Sequence, residues 1–283
     1  MDHIAVIDIG SNSVRYMEAE CTRNGVHSLY KIVHTTRLAH GQDTNGKLAK
    51  ESMECTANAV VEFKKKADHD GIPVFAYATS ALREASNQND FLSLLSGVVP
   101  VEILSGEQEG RLAYYGVSDK CKTMIDIGGG SLQIANESEG ASFPIGCVRF
   151  ADRMSESHPD NLYSYLKQWA DAVITDPPTV QLPVAGIGGT ITTLAALSIG
   201  LTVYDKDAVS RTTLTKEAVD LLLNQLYQMG PDRKAHPLLT KRYSVILQGG
   251  TILKYLMTRF SIPSILCSDR DGMEGYAEIK IKQ

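Results

Sequence analysis

One pattern occurs twice in this chain. AVIDIGSNSVRYMEAE (Ala5 to Glu20) and TMIDIGGGSLQIANES (Thr123 to Ser138) both read apolar, apolar, Asp, Ile, Gly, small, small, Ser, then alternating apolar residues. Asp8 and Asp126 head the two copies, 118 residues apart. Each copy has the pattern of strand, tight turn and strand. A repeated hairpin constrains the fold more than any composition does. It predicts two similar sheets, each left through the same acid and the same glycine turn.

The intervening sequence alternates helices and strands. Helical spacing runs from Glu51 to His69, with Lys64, Lys65 and Lys66 on a solvated face. Short strands are predicted at Pro73 to Thr79 and Pro100 to Leu104, and a helix at Asn89 to Ser96. After Asn136 come a predicted strand around Phe143 to Phe150, helical stretches from Asn161 and Lys216, and a helix from Tyr243 to Phe260. Such alternation favours α/β layers. The 283 residues suffice for two domains. We place them at 1–118 and 119–283, with the last few residues allowed to return to the first. No Pro/Ser-rich linker marks the boundary, so the halves are expected to pack closely around a cleft.

Glycine loops are the chemical feature of both copies. Successive unencumbered N–H groups in a turn make an anion nest, and glycine lets an oxygen approach the backbone. The turns are Gly10, Ser11, Asn12, Ser13 and Gly128, Gly129, Gly130, Ser131. A third, with Gly188, Gly189 and Thr190, leaves an apolar strand and opens an Ala/Leu/Thr helix. Two such loops facing each other would grip a phosphate from both sides. Asp8 and Asp126, at strand ends, could hold Mg²⁺ directly or through water. A single D-x-G turn is more often structural than functional, but two matching hairpins and a later G-x-G-G-T are much harder to obtain by chance.

Composition excludes several classes. Hydrophobic residues make up 43% and charged residues 22%, the balance of an ordinary soluble protein. No apolar run has the ~18 residues of a membrane helix, and the N-terminus lacks a signal-peptide pattern. A net charge of -5 argues against nucleic-acid binding through general basicity. The five cysteines are scattered without a C-x-x-C pair, as expected of reduced thiols in a cytoplasmic protein. His34 and His40 lack metal-ligand spacing, and Trp169 with the NLYSYL segment reads as core.

The SGEQEGRL segment can be read unaided. Ser105 and Gln108 form an S-x-x-Q capping box that starts a helix. Glu107 and Arg111 lie four apart and can pair. Glu109 shares a face with Leu112, Ala113 and Gly116, which should point inward. An acid there is either paired or has a raised pKa. The plainer alternative is a solvated carboxylate in a first turn favoured by the helix dipole.

The paired hairpins and third glycine loop resemble the actin / sugar kinase / heat-shock-chaperone superfamily. The resemblance sharpens to the Ppx/GppA family of exopolyphosphatases and guanosine pentaphosphate phosphohydrolases. It is carried by VIDIGSNSVRYM, ATSALREA (Ala78 to Ala85), ILSGEQEGRLAYYGV (Ile103 to Val117), MIDIGGGSLQIA, PIGCVRF (Pro144 to Phe150), GIGGTITTLAAL (Gly186 to Leu197) and KRYSVILQGGTIL (Lys241 to Leu253). It implies an α/β fold of two duplicated actin-like (ribonuclease H-like) domains flanking a central cleft. It also implies a hydrolase that releases terminal phosphate from inorganic polyphosphate or a guanosine polyphosphate.

By this resemblance Glu109 orients and deprotonates the attacking water, and Arg83 clamps the phosphate. Asp126, with Asp8 and Gln133, holds Mg²⁺, and the three glycine loops bind the phosphoryl oxygens. Arg15 and Arg149 follow hairpin strands, and the reading of each as a surface arginine stands about even. Two departures stand out. Gln133 occupies a position where the family commonly has a metal-binding acid, so metal affinity should fall. In SDRDGMEGY the family usually has glycine at Asp271 and arginine at Met273, so one cationic contact is missing. Gly110, where alanine is common, is a minor change.

These departures keep open a second class, a weak hydrolase that mainly senses polyphosphorylated nucleotides. A third, a sugar or acetate kinase, would want D-x-G-G-T where this chain has DIGSNS. The chain stops where the extra C-terminal helical domains of larger relatives would begin, which suggests shorter polyphosphate chains by analogy. A homodimer is the default expectation.

Overall fold

The computed structural model describes residues 3–23 and 25–281. Its elements are β1 (His3–Ile9), β2 (Ser13–Thr22), β3 (Gly25–Thr35), α1 (Gln42–Asn45), α2 (Lys50–His69), β4 (Val74–Ala78), α3 (Ser80–Glu84), α4 (Gln88–Leu94), β5 (Val101–Ile103) and α5 (Gly106–Tyr115). They continue as β6 (Thr123–Ile127), β7 (Leu132–Asn136), β8 (Gly140–Phe143), α6 (Cys147–Arg153), α7 (Pro159–Val173), β9 (Val184–Ile187) and α8 (Gly188–Ser198). The last are α9 (Lys206–Ser210), β10 (Thr213–Thr215), α10 (Lys216–Met229), α11 (Ile246–Arg259), β11 (Ser264–Cys267) and α12 (Gly272–Lys280).

The duplication governs the topology. One sheet has the order β3-β2-β1-β4-β5 and the other β10-β11-β9-β6-β7-β8. In each, the repeated hairpin is antiparallel and its first strand also pairs in parallel with the next βα unit. The expected two-domain α/β architecture is therefore present, with the two hairpins in equivalent places. Each sheet is covered by its own core. Ile7, Tyr16, Val60, Phe63 and Phe91 serve the first, and Ile125, Ile134, Phe150, Leu166, Leu194 and Ile252 the second. The strands of β1 and β6 are buried on both faces, which explains their unbroken apolar runs.

Local readings mostly match the elements. In α2, Met53, Val60 and Phe63 face inward while Lys64 and Lys66 pair outward with Asp68 and Asp70. Trp169 lies partly buried beside Phe150 with the Arg153 guanidinium over its ring. The predicted strand around Phe143 to Phe150 is a correction. β8 ends at Phe143, and residues 147–153 form α6. Pro144 has no N–H to extend the ladder, and the first N–H groups of α6 turn to the glycine loop instead. Cys147 donates to the Gly128 carbonyl at 3.0 Å and Val148 to the Gly129 carbonyl at 2.9 Å.

The C-terminal helix crosses back to the first sheet. Met273, Tyr276 and Ala277 of α12 pack with Ile4, Val6, Met17 and Leu112. Gly275 permits this approach, because a Cβ there would stand 2.2 Å from the Leu112 carbonyl oxygen. No helix among the described residues is long and apolar enough to cross a membrane.

Candidate active site

The two hairpin turns close identically. Gly10 N–H donates to the Ser13 carbonyl at 3.1 Å, and Gly128 N–H to the Ser131 carbonyl at 2.9 Å. The turns meet across the cleft. A Cβ on Gly129 would lie 3.0 Å from the Asn12 nitrogen, and one on Gly130 2.5 Å from Ser11 Oγ. The three consecutive glycines thus let the second loop press against the first as well as baring the backbone. The third loop does the same for two charged groups. Gly188 has φ +81° and leaves room for Asp126 Oδ1, which would lie 2.1 Å from a Cβ. Gly189 lies under the Arg242 guanidinium, 1.7 Å from where a Cβ would stand.

These loops line one cavity of about 840 Å³. Asp8, Gly10, Ser11, Asn12, Ser13, Glu109, Asp126, Gly128, Gly129, Ser131, Gln133, Gly188 and Gly189 face it. Gly130, Thr190 and Arg83 are not among the residues that line it. Thr190 is buried and its hydroxyl meets Cys147.

Hairpin register decides the charge arrangement. Asp8 lies directly opposite Arg15, and Asp126 opposite Gln133. Cross-strand partners share a face of the sheet, so Arg15 points into the cleft with Asp8. Its Nε donates to Asp8 Oδ2 at 2.8 Å and its Nη1 to Asp271 Oδ2 at 2.5 Å. The reading of Arg15 as a surface arginine is overturned by this buried pairing. Arg149 is likewise no strand residue. From α6 its Nε donates to the Gly130 carbonyl at 2.9 Å, and its guanidinium pairs with Glu84. Gln133 donates its amide to Ser131 Oγ at 2.7 Å and Ser142 Oγ at 3.1 Å. Its carbonyl oxygen takes no hydrogen bond from a described residue.

Glu109 enters from α5. The capping box forms as read, with Gln108 N–H on Ser105 Oγ at 3.1 Å and Ser105 N–H on Gln108 Oε1 at 2.8 Å. Glu107 and Arg111 approach to 3.9 Å on the outer face. Glu109 turns inward beside buried Leu112 and Ala113, its side chain 15% exposed. Arg83 Nη1 donates to Glu109 Oε2 at 3.0 Å and to the Leu104 carbonyl at 2.8 Å. Burial pushes Glu109 up to about 8, against the Arg83 charge, with Asp126 and Asp8 pushing the same way as burial. Burial also raises Asp126 to about 7, countered first by Arg15. Three acids that perturb one another must share one space.

The donor set suits a hard cation. Asp8 Oδ1 is buried with no hydrogen-bond partner. With Asp126 and the Gln133 carbonyl it offers oxygen ligands only. Among the described residues no three His, Cys, Asp or Glu side chains form a ready cage. A Mg²⁺ ion would take one or two of these carboxylates and complete its shell with waters and substrate phosphates.

Arg242 was not singled out from sequence. It is the second residue of the segment KRYSVILQGGTIL, yet a single chain does not distinguish it from 27 other Lys and Arg residues. It lines the cavity, and among the described residues it has no ion-pair partner. Burial lowers its pKa, so an anion is what it lacks.

Comparison with known proteins identifies the family. A sequence model of the Ppx/GppA phosphatase family matches residues 19–277. The chain is 27% identical to exopolyphosphatase 2 of Mycobacterium tuberculosis over 314 residues, covering 98% of each protein. It is 33% identical to exopolyphosphatase 1 of Mycobacterium bovis over 196 residues, 63% of this chain and 57% of that one. Among solved structures, an Aquifex aeolicus Ppx/GppA family member superposes with a TM-score of 0.77 at 28% identity, covering 99% and 97% of the two chains. An exopolyphosphatase of Cytophaga hutchinsonii, with a TM-score of 0.84 at 24% identity and coverage of 99% and 98%, shares the fold. The chain belongs to the Ppx/GppA phosphatase family.

Proposed function

We propose that the protein hydrolyses the terminal phosphoanhydride of inorganic polyphosphate or guanosine pentaphosphate, releasing orthophosphate with the help of Mg²⁺. The observation that carries this reading is Glu109, a buried acid at the head of α5 that shares a glycine-walled cleft with Asp8 and Asp126. With its pKa raised to about 8, the Glu109 carboxylate, once deprotonated, is a stronger base than an ordinary carboxylate.

In this reading Glu109 accepts the proton of the attacking water. Arg83, fixed to the Leu104 carbonyl, holds the Glu109 carboxylate in place through Nη1. Backbone N–H groups of the three glycine loops bind phosphoryl oxygens. The Arg242 guanidinium, which has no ion-pair partner among the described residues, supplies a bidentate contact to the same phosphates. Asp126, Asp8 and the Gln133 carbonyl would hold Mg²⁺, which neutralises charge that develops on the phosphate chain.

Inorganic polyphosphate is favoured by the likeness to exopolyphosphatase 2 across nearly the full chain. The guanosine reading draws on the apolar side chains of Leu29, Pro237, Leu238 and Tyr204, which line the same cavity and would accept a base. The test is orthophosphate release by the purified protein with Mg²⁺ from tripolyphosphate, long-chain polyphosphate and guanosine pentaphosphate in parallel. Release from at least one supports the reading. Tight binding without release from any makes the protein a sensor instead.

A further inference from the structure

Five cations line the cleft, and they are not equally available. Lys206, Lys241 and Arg242 come from the second lobe. Arg15 and Lys31 come from β2 and β3 of the first lobe, and both are already engaged. Arg15 pairs with Asp8 and Asp271, and Lys31 with Asp271 and Glu274. Lys31 Nζ also donates to the Asp269 carbonyl at 2.7 Å. Two cations thus face three carboxylates, and Asp271 is the one acid that touches both.

Asp271 cannot swing aside. It is 4% exposed and caps α12, with Oδ1 accepting from Met273 N–H at 2.9 Å. That leaves Oδ2 aimed at Arg15 Nη1, 2.5 Å away, and Lys31 Nζ, 3.3 Å away. Its backbone is pinned too, since a Cβ on Gly116 would stand 2.4 Å from the Asp271 carbonyl oxygen. A phosphate arriving at this end of the cleft must compete with a buried, fixed carboxylate for each cation. Such competition costs an entering anion both the broken pair and like-charge repulsion.

We propose that Asp271 is a specificity-determining residue: as the third carboxylate on the Arg15–Lys31 pair, beside Asp8 and Glu274, it leaves these two cations outnumbered by acids and repels the polyphosphate chain, so that few phosphates are held and short chains are favoured. This deepens the phosphoanhydride hydrolase reading and rests on it. Asp271 touches no reacting atom in this account. It sets how much of the substrate beyond the terminal phosphate finds a positive partner.

The test compares wild type, Asp271→Asn and Asp271→Asn/Lys31→Met in steady-state phosphate release from tripolyphosphate and from long-chain polyphosphate. Asp271→Asn is expected to lower KM for the long chain about tenfold, with kcat and the tripolyphosphate KM changed by less than about threefold. Its long-chain KM should also depend more steeply on salt, because Arg15 and Lys31 are then no longer outnumbered by carboxylates and can share charge with phosphate. Adding Lys31→Met should remove part of that gain. Equal KM changes for both chains, or an unaltered salt dependence, would overturn the proposal while leaving the hydrolase reading intact. Wild type that neither binds nor cleaves either chain would sink both. Should Asp271→Asn fail to fold, Lys31→Met in the wild-type background decides. A sequestered Lys31 predicts a long-chain KM within about twofold of wild type, whereas a rise of about tenfold or more would show that Lys31 already binds the chain.

Discussion

At the scale of single residues, the cleft is a contest between burial and charge. Removing Glu109 from water disfavours its ionised form, and Arg83 at 3.0 Å recovers only part of that cost. A general base must be unprotonated to work. The rate at limiting substrate should therefore climb with pH until about 8, the value to which Glu109 is pushed. Replacing Arg83 removes a cation that favours the carboxylate, so Arg83→Met should move the rising limb to higher pH. A pH profile of kcat/KM for both proteins checks the direction, and a limb that stays in place would separate Arg83 from Glu109. The inward face of Glu109 was legible from its spacing to Leu112 and Ala113. The inward face of Arg15 was legible in principle as well, because Arg15 and Gln133 are equivalent positions of the repeat. What one chain could not reveal was that Asp271, a departure from the family pattern, meets Arg15 from 256 residues away.

At the scale of elements, glycines divide into those that loops require and those that helices tolerate. Gly110 lies in the interior of α5, and a Cβ there would meet nothing closer than 3.7 Å. Gly110→Ala should stabilise the protein by up to about 1 kcal/mol, the difference in helix propensity. Gly146 precedes α6, and a Cβ there would stand 2.2 Å from the Gly129 carbonyl oxygen. Gly146→Ala should lower the melting temperature and loosen the loop that Cys147 and Val148 hold. Thermal unfolding of the two variants reads both signs. The hairpins, the α5 cap and the third strand–glycine–helix unit were plain in the sequence because each is closed by local contacts. α6 was not. Its start is fixed by carbonyls of a loop 19 residues earlier, which no local pattern records.

At the scale of the whole molecule, the duplicated sheets meet at the cleft and are tied at its rims. Arg149 pairs with Glu84, Asp152 Oδ2 accepts from Gly41 N–H at 3.1 Å, and Lys241 Nζ donates to the Val33 carbonyl at 3.1 Å. These ties lie at the part-exposed or exposed rim, and the substrate would bridge the same two lobes from inside. Arg149→Ala should therefore enlarge the radius of gyration of the free protein, and polyphosphate should shrink it again. Small-angle scattering with no change in either case would count against lobe movement. The central claim, however, is that Glu109 performs the chemistry and does not merely shape the cleft. The most direct measurement is orthophosphate release and polyphosphate binding by Glu109→Gln beside wild type. The account predicts release reduced by at least about a hundredfold with binding kept within severalfold. A variant that releases phosphate at the wild-type rate would contradict it.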